Sequence, residues 1–578
     1  MTMAGSTFPD RPDGSAPTPR CAPPPDRNLV LARSWIASVV WTAATAGVVI
    51  GLFGWLGRVS VAPSVMGDNA YIFLAADRMY GGSGATCTPP QAPFQPWTWR
   101  ADWAFLTQWP VGYPLLICAM RMLVQATTVK AAAALSVVCC GVGLVAWFAW
   151  MVRCLGRNVT AMTVALAACL GVFQVSELVN PASDTVLLAA VPLVLILAVR
   201  WLESNHATSA TRPPSLRGAA CLGLLAGGLF WIRYAAIFVP VGIGAYLLVA
   251  SILSRRVGPG HVFLFGVGCM VPIAGLIAIN HILGLPSTVS EQLNLGHTAR
   301  WTIDPRIPVH LWRNFTTRTP YAHRPEAFWF FAAVLPIGGL VLPLLTRRAR
   351  RSAGRFWRQP AVQLSAVMVA ALWAMLAAAT VLFRDKFNYA QLDRYYLAVR
   401  PLYWVLFVGP LAVLPRAWFR AGIIAMMVLF GAWFVRQDHI RAFRRITARQ
   451  QARTPSGRWA MHFEPGSSTL YAWLKAQRAD HLVVFSNFHD EIALETGIPA
   501  CPLPETPSRL DGWLAKIREA RHVPSLRVLF VLEPDDTNRD YFQPSVTATI
   551  EALGLAPVTG APTAVQPYVF QIEPPLHT

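Results

Sequence analysis

The stretch APSVMGDNAYIFLAADRMYGG, residues 62–82, follows the first long apolar run of the chain, residues 35–57. It places a carboxylate, Asp68, within a few residues of the point where an apolar run of this length must leave a membrane. Apolar side chains recur at helical spacing after Asp68 until Gly81-Gly82 ends the pattern. The stretch therefore predicts an amphipathic helix lying on the membrane surface, with Asp68 either as its N-cap or as a functional acid.

Composition sets the class of protein. Of 578 residues, 54% are hydrophobic and 13% are charged, which is too apolar for a soluble chain of this length. The net charge of +20 comes almost wholly from arginines scattered between apolar segments, so no basic face for nucleic acid is predicted. The ten cysteines form no CxxC pair or His/Cys cluster, so no metal site is predicted from them. We therefore expect a polytopic α-helical membrane protein with membrane lipids, and no nucleic acid, among its partners.

Eleven apolar segments have lengths near those that cross a bilayer, about 17–25 residues, although two are short. They lie near residues 35–57, 131–152, 159–178, 185–201, 218–233, 235–254, 261–283, 327–346, 361–383, 401–415 and 421–436. A twelfth candidate, residues 111–127, carries Arg121 in its middle and proline near its start, so we interpret it as an interfacial or re-entrant helix. Residues 1–34, rich in proline and polar residues, predict a disordered cytoplasmic tail.

The positions of arginine predict the orientation, because cytoplasmic loops of membrane proteins collect Lys and Arg. Residues 347–359, RRARRSAGRFWRQ, hold six arginines and are assigned to the cytoplasm together with the other short basic loops. The transmembrane domain, residues 35–437, is then expected to have its first outer loop at 58–130. Residues 438–578 are expected to form an extracytoplasmic domain, and the whole protein is expected in the cell membrane. The loop 284–326 is also expected to face outward.

Beyond residue 460 the chain alternates predicted strands and helices, which indicates a small α/β layer. It contains neither a glycine-rich phosphate loop nor a catalytic triad spacing, so we interpret it as a cover or acceptor-recognition domain. His489 and Asp490 are expected to be a cap and a surface residue.

Six stretches, taken in order, resemble a known class of enzymes. They are GDNAYIFLAADRMYGG, WPVGYPLL, ELVNPASD, WIRYAAIFVP, LDRYYLAVRP and VVFSNFHDEIALETGIPACPLP. This ordered set resembles the polyprenyl-phosphate-sugar-dependent membrane glycosyltransferases of the GT-C class, which include protein mannosyltransferase-like and aminoarabinose transferase-like enzymes. The resemblance implies a GT-C-like fold and a polyprenyl-phosphate sugar as donor.

The resemblance also implies catalytic residues. In that class an acid at the start of the first outer loop serves as catalytic base or metal ligand, and Asp68 matches it. A second acid usually lies in the next outer loop, where Asp184 is the closest match and Glu177 the reserve. Many relatives have Asp-Glu where this chain has Asp68-Asn69. That departure weakens the case for a bound metal, so no cofactor is assigned, and Mg²⁺ or Mn²⁺ stays open.

The chemistry of such a transfer explains the residue types. The leaving group is a phosphate at the depth of the membrane surface, so a transferase needs a base for the acceptor hydroxyl and cations for the departing charge. Arg233 and Arg394 are the best placed cations, because guanidinium groups bind phosphate through two parallel hydrogen bonds. Lys386 and Arg400 are better explained as side chains that snorkel to the interface.

The sequence therefore predicts a glycosyltransferase that moves a sugar to a lipid, polysaccharide or protein acceptor on the outer face of the membrane. A flippase or transporter of lipid-linked sugars is the alternative, and a structural subunit is a third. The spans hold almost no ionisable residue in their interiors, which argues against a transporter. The acid and arginines at the outer mouths of the helices argue against a purely structural subunit.

Overall fold

The computed structural model describes the chain over fourteen stretches and a few single positions between 414 and 429. The stretches are 68–88, 103–106, 109–156, 159–172, 182–203, 215–254, 257–282, 307–316, 333–382, 393–412, 467–477, 481–504, 506–532 and 546–572. Predictions that lie outside the described residues are the tail 1–34, the span 35–57, and the residues Glu177 and Lys386. Of Asp68 and Arg394 the backbone is described and the side chain is not.

The first part of the chain is helical. In chain order its helices are α1 (Asp68–Tyr80), α2 (Gly112–Val124), α3 (Thr128–Leu155), α4 (Val159–Val172), α5 (Ser183–Glu203), α6 (Leu216–Gly228), α7 (Phe238–Ser254), α8 (Pro259–Ile282), α9 (Ile307–Thr316), α10 (Leu335–Val341), α11 (Arg347–Trp357), α12 (Pro360–Leu382), α13 (Asp393–Tyr396), α14 (Arg400–Tyr403) and α15 (Gly409–Ala412). Two 3₁₀ turns, Leu229–Trp231 and Tyr234–Ile237, lie between α6 and α7. Two short strands, β1 (Thr86–Cys87) and β2 (Ala104–Phe105), pair antiparallel after α1.

Among the described residues, five helices are long and apolar enough to cross a membrane. They are Thr128–Leu155, Ser183–Glu203, Tyr234–Leu253, Pro259–Ile282 and Pro360–Ala379. Each lies on one of the predicted spans, because hydropathy over about 20 residues is a property of the local sequence. The multi-pass membrane class is thereby confirmed. Three other predicted spans contain shorter apolar helical segments in the described residues, namely Val159–Val172, Leu216–Trp231 and Leu335–Leu344. The total of eleven spans stays a prediction.

The segment predicted to be interfacial or re-entrant contains α2, a helix of 13 residues. Such a helix covers about 20 Å, less than the hydrocarbon core of roughly 30 Å. Arg121 lies in the last turn of α2 and donates a hydrogen bond of 2.6 Å to Asp77 Oδ1 of α1 and one of 2.8 Å to Thr128 Oγ1. The arginine is therefore neutralised at the end of a short helix.

Close helix packing builds the frame around the turn between α6 and α7. A Cβ atom added at Gly223 would lie 2.2 Å from the carbonyl oxygen of Phe265, and one at Gly227 would lie 2.4 Å from that of Cys269. From the other side, a Cβ at Gly268 would lie 2.4 Å from the carbonyl oxygen of Ala220. Helices α6 and α8 can approach so closely only because these positions carry no side chain.

The C-terminal part forms a mixed five-stranded sheet in the order β4-β3-β5-β7-β6, with β3 parallel to β4 and β5, and β7 antiparallel to β5 and β6. The strands are β3 (Leu482–Ser486), β4 (Ala500–Cys501), β5 (Arg527–Val531), β6 (Leu555–Pro557) and β7 (Val569–Ile572). The helices are α16 (Ser467–Ala476), α17 (His489–Thr496), α18 (Pro507–Arg521) and α19 (Val546–Leu553). Sequence analysis missed β4 and β6, which are only two and three residues long.

Helix α1 ends before Gly81-Gly82, as the sequence predicts, but it is not an amphipathic surface helix. Residues 70–76 are all buried. Ala70, Ile72 and Phe73 pack with α2 and α3, whereas Tyr71 and Leu74 pack beside α17 of the C-terminal layer. The face expected to meet solvent or headgroups is covered by a part of the chain about 420 residues away.

Candidate functional site

Helix α5 begins inside the ELVNPASD motif, and its first turn carries Asp184. The carbonyl oxygen of Ala182 accepts hydrogen bonds from the Thr185 backbone N–H at 3.1 Å and from Thr185 Oγ1 at 2.7 Å, which holds this first turn together. The amino end of a helix favours negative charge. The local structure therefore favours an acidic residue such as Asp184 at this place.

Arg233 lies between the two 3₁₀ turns, with extended backbone angles of φ −159° and ψ 129°. Its Nη1 donates a hydrogen bond of 2.6 Å to Asp184 Oδ2 and one of 3.2 Å to Ser183 Oγ. The side chains of Arg233 and Asp184 are only 14% and 13% exposed. The structure thus joins a predicted donor-binding arginine and a predicted catalytic acid, 49 residues apart in sequence, into one largely buried ion pair.

The LDRYY motif contributes an aromatic ring to the same pair. Helix α13 carries Tyr395, and Cζ of Arg233 lies 4.9 Å from the centre of the Tyr395 ring. A guanidinium over an aromatic face gains a cation–π attraction. Arg394 adjoins Tyr395 in α13, so its backbone lies beside the Arg233 site.

Arg233 retains donors for a further anion. Both of its hydrogen bonds leave from Nη1. A guanidinium has five N–H donors in a planar fork, and among the described residues Nη2 and Nε of Arg233 make no hydrogen bond to the protein. A phosphate oxygen could therefore be bound while Asp184 holds the other side of the group.

The WPVGYPLL motif packs directly on the turn that carries Arg233. A Cβ atom at Gly112 would lie 2.3 Å from the carbonyl oxygen of Trp231, so only glycine allows this approach. Trp231 Nε1 donates a 2.7 Å hydrogen bond to the carbonyl oxygen of Pro272 in α8, which anchors the turn from the other side. Next to Gly112, Tyr113 is buried in one apolar cluster with residues of α1, α3 and α5.

Helix α1 is part of that same cluster. Ile72 and Phe73 pack in it with Tyr113 and with Val186, which follows Asp184 in α5. Asp68 is the first residue of α1. The backbone of the predicted base is therefore set by a helix that packs against the other elements of the site.

His489 and Asp490 are not the cap and surface residue predicted from the sequence. Their exposed fractions are 1% and 8%, because α17 is buried between its own sheet and α1. Nε2 of His489 lies 3.0 Å from the hydroxyl oxygen of Tyr71. Tyr71 in turn stacks on Trp109, with ring centres 5.1 Å apart. Sequence reasoning missed this contact, since no local pattern pairs residues 418 positions apart.

Cys87, which lies in the same region, is a free cysteine with a buried thiol. Burial is the main cause that raises the pKa of the Cys87 thiol well above its ordinary range, and nearby Asp490 adds to it. Arg78 opposes the shift and is itself held by a 2.6 Å hydrogen bond to Thr86 Oγ1 and by the Trp103 ring 3.6 Å away. Cys87 is therefore a protonated thiol, shielded from solvent.

In the parts of the chain that the structure describes, no group of three His, Cys, Asp or Glu side chains is placed to hold a metal ion. The Asp68 side chain lies outside those parts, so metal binding there stays open.

Comparison with solved structures identifies the fold. The chain matches ArnT from Cupriavidus metallidurans bound to undecaprenyl phosphate with a TM-score of 0.53 at 12% identity, over 93% of this chain and 98% of ArnT. It also matches the archaeal oligosaccharyltransferase AglB from Archaeoglobus fulgidus, in complex with an inhibitory peptide and a dolichol-phosphate. That match has a TM-score of 0.45 at 12% identity and covers 84% of this chain and 69% of AglB. No protein-family model and no curated protein matches the chain. ArnT is a GT-C aminoarabinose transferase, so the predicted GT-C-like fold is confirmed.

Proposed function

We propose that this protein is a membrane glycosyltransferase that moves a sugar from a polyprenyl-phosphate donor to an envelope acceptor on the outer face of the cell membrane. The acceptor is a lipid, a polysaccharide or a protein. The observation that carries the proposal is the convergence of the six stretches that resemble GT-C enzymes. Their described parts, spread over residues 68–504, meet in an unbroken chain of contacts around the Arg233–Asp184 pair.

The roles follow from charge and position. Arg233 binds the donor phosphate through its remaining donors, and its planar fork suits two phosphate oxygens. Asp184 keeps the guanidinium in place, because an arginine held by a carboxylate on one side presents its other edge in a defined direction. Arg394, next to Tyr395, is the second candidate for the phosphate. Asp68 is the general base that takes the proton of the acceptor hydroxyl.

The donor class rests on two independent supports. The site gathers cations at the ends of apolar helices, where a lipid-linked phosphate would lie. The structural neighbour ArnT was solved bound to undecaprenyl phosphate, the same chemical class. A flippase would need the lipid-linked sugar to cross the membrane unchanged. Measuring whether the sugar is cleaved from the polyprenyl phosphate distinguishes a transferase from a flippase.

The experiment compares Arg233→Lys and Arg233→Gln with wild type in lipid nanodiscs, with a polyprenyl-phosphate sugar as donor. Both variants should raise the KM for the donor about tenfold or more, because a lysine cannot form the bidentate contact. Arg153→Lys and Arg153→Gln are the matched controls. Arg153 of α3 pairs with Glu203, which lies at the end of α5 opposite to Asp184. Unchanged donor saturation in folded Arg233 variants would contradict the assignment. Adding or chelating Mg²⁺ and Mn²⁺ in the same assay tests the need for a metal.

A further inference from the structure

The C-terminal layer touches the site region along one seam, which we define as Tyr71 and Leu74 of α1, Cys87 of β1, and His489 and Ala493 of α17. Apart from His489, these residues form a single buried apolar cluster. His489 places its polar ring at the edge of this cluster. The seam is therefore an apolar contact that the hydrogen-bonded pair Tyr71–His489 crosses.

The pair across the seam is well defined in geometry. The Tyr71 hydroxyl and His489 Nε2 are 3.0 Å apart, and both side chains are buried. The two rings meet edge to face, with centres 5.7 Å apart, while the other face of Tyr71 stacks on Trp109. Tyr71 thus has its orientation set from both sides, by α17 and by the segment that leads into α2.

Helix α17 is itself fixed to its own sheet layer. Glu491, two residues after His489, is buried and accepts a 2.5 Å hydrogen bond from the Tyr471 hydroxyl of α16. Thr496 Oγ1 donates a hydrogen bond of 2.6 Å to the carbonyl oxygen of Ile492 and closes the last turn of α17. His489 is therefore presented to Tyr71 by a rigid element.

We infer that His489 is a positioning residue, which holds helix α1 in place for catalysis through its contact with Tyr71. This inference rests on the proposed function. Asp68 begins α1 only three residues before Tyr71, so both lie in one helical turn and their backbones move together. A small misplacement of a base can cost a large factor in rate. Donor binding, by contrast, is assigned to Arg233 and not to α1.

The test uses His489→Ala, Tyr71→Phe and the double variant of the full chain in nanodiscs. Each single change should lower kcat about tenfold while the KM for the donor stays the same, since the buried hydrogen bond between α1 and α17 is lost. The double variant should lose little beyond the larger single effect, because both changes remove one contact. His489→Gln, which can place a nitrogen near the position of Nε2, should restore most of the rate.

A second readout does not depend on activity. Cys87 lies in the seam, so a maleimide can reach its thiol only when the contact between α1 and α17 opens. The reaction is followed by mass spectrometry of the Cys87 peptide. His489→Ala should accelerate this labelling about tenfold, and His489→Gln should return it towards wild type. His481→Ala is the matched control, because His481 is exposed directly before β3 of the same layer, and it should change neither readout.

The outcomes separate the two proposals. Wild-type labelling and wild-type kcat in a folded His489→Ala variant would overturn the inference. A fall in kcat without faster labelling would overturn it too, because His489 would then act otherwise than through the seam. If wild-type protein transfers no sugar, the proposed function fails, and the labelling alone decides whether His489 holds α1.

Discussion

Replacing either member of the Arg233–Asp184 pair tests whether the ion pair organises the site. Asp184→Asn keeps the shape and one hydrogen-bond acceptor but removes the negative charge. Arg233→Gln removes the positive charge and leaves Asp184 largely buried. Each change therefore leaves one uncompensated charge at the start of α5.

The magnitude follows from burial. Removing one partner of a fully buried ion pair costs about 3–5 kcal/mol, whereas exposed pairs contribute about 0.2–1 kcal/mol. The Arg233 and Asp184 side chains are 14% and 13% exposed, and Arg233 donates two hydrogen bonds to the first turn of α5, one to Asp184 and one to Ser183. We therefore expect each single change to cost about 2–3 kcal/mol, with a coupling energy of about 2 kcal/mol between them.

The assay is reversible unfolding in mixed micelles of increasing SDS content, applied to wild type, both single variants and the double variant. The matched control is the same cycle on Arg153 and Glu203, which join α3 and α5 at the other end of α5. Their side chains are 30% and 39% exposed, so we expect a coupling of at most about 1 kcal/mol there.

A coupling energy below about 0.5 kcal/mol for Arg233 and Asp184 would refute this reasoning, because a pair so little exposed would then behave as a surface pair. Equal coupling in both cycles would refute it as well. Either result would mean that Asp184 does not hold Arg233 in place.

Three further predictions concern the base, the topology and the helix packing. Asp68→Asn should lower transfer about 10²–10⁴-fold with little loss of stability, as kinetics and thermal unfolding together would show; near-full transfer with lowered stability would make Asp68 only a helix cap. A cysteine placed within 347–359 should be shielded from an impermeant thiol reagent in intact cells and one near 535 labelled, and the reverse pattern would invalidate the orientation. Gly227→Ala should destabilise the protein by about 1–3 kcal/mol, because its Cβ would meet the backbone of α8, whereas Gly228→Ala meets no atom within 4 Å and serves as the control.

Several features were predictable because they depend on neighbours in sequence. The five long apolar helices lie on predicted spans, since hydropathy is local. Helix α17 ends at Thr496, directly before Gly497, which adopts φ +70°, as the glycine after DEIALET indicates. The order of the six stretches was also readable, and it predicted the GT-C-like fold that the comparison with ArnT confirms.

Other features could not be read from the sequence because they depend on which distant segments meet. Arg233 and Asp184 were singled out as separate residues, and only packing of the turn after α6 against α5 makes them a pair. Tyr395 was passed over beside Arg394, although its ring lies under the guanidinium of Arg233.

Helix α1 shows where the division lies. Its sequence alone determined that residues 68–80 are helical and that one face is apolar, because periodicity and the terminal glycines act within a few turns. Only the tertiary structure decided that the opposite face is buried too and that Tyr71 meets His489. The physical reason is that apolar side chains such as Tyr71 and Leu74 favour burial but do not encode which segment covers them, and here that segment comes from the far end of the chain.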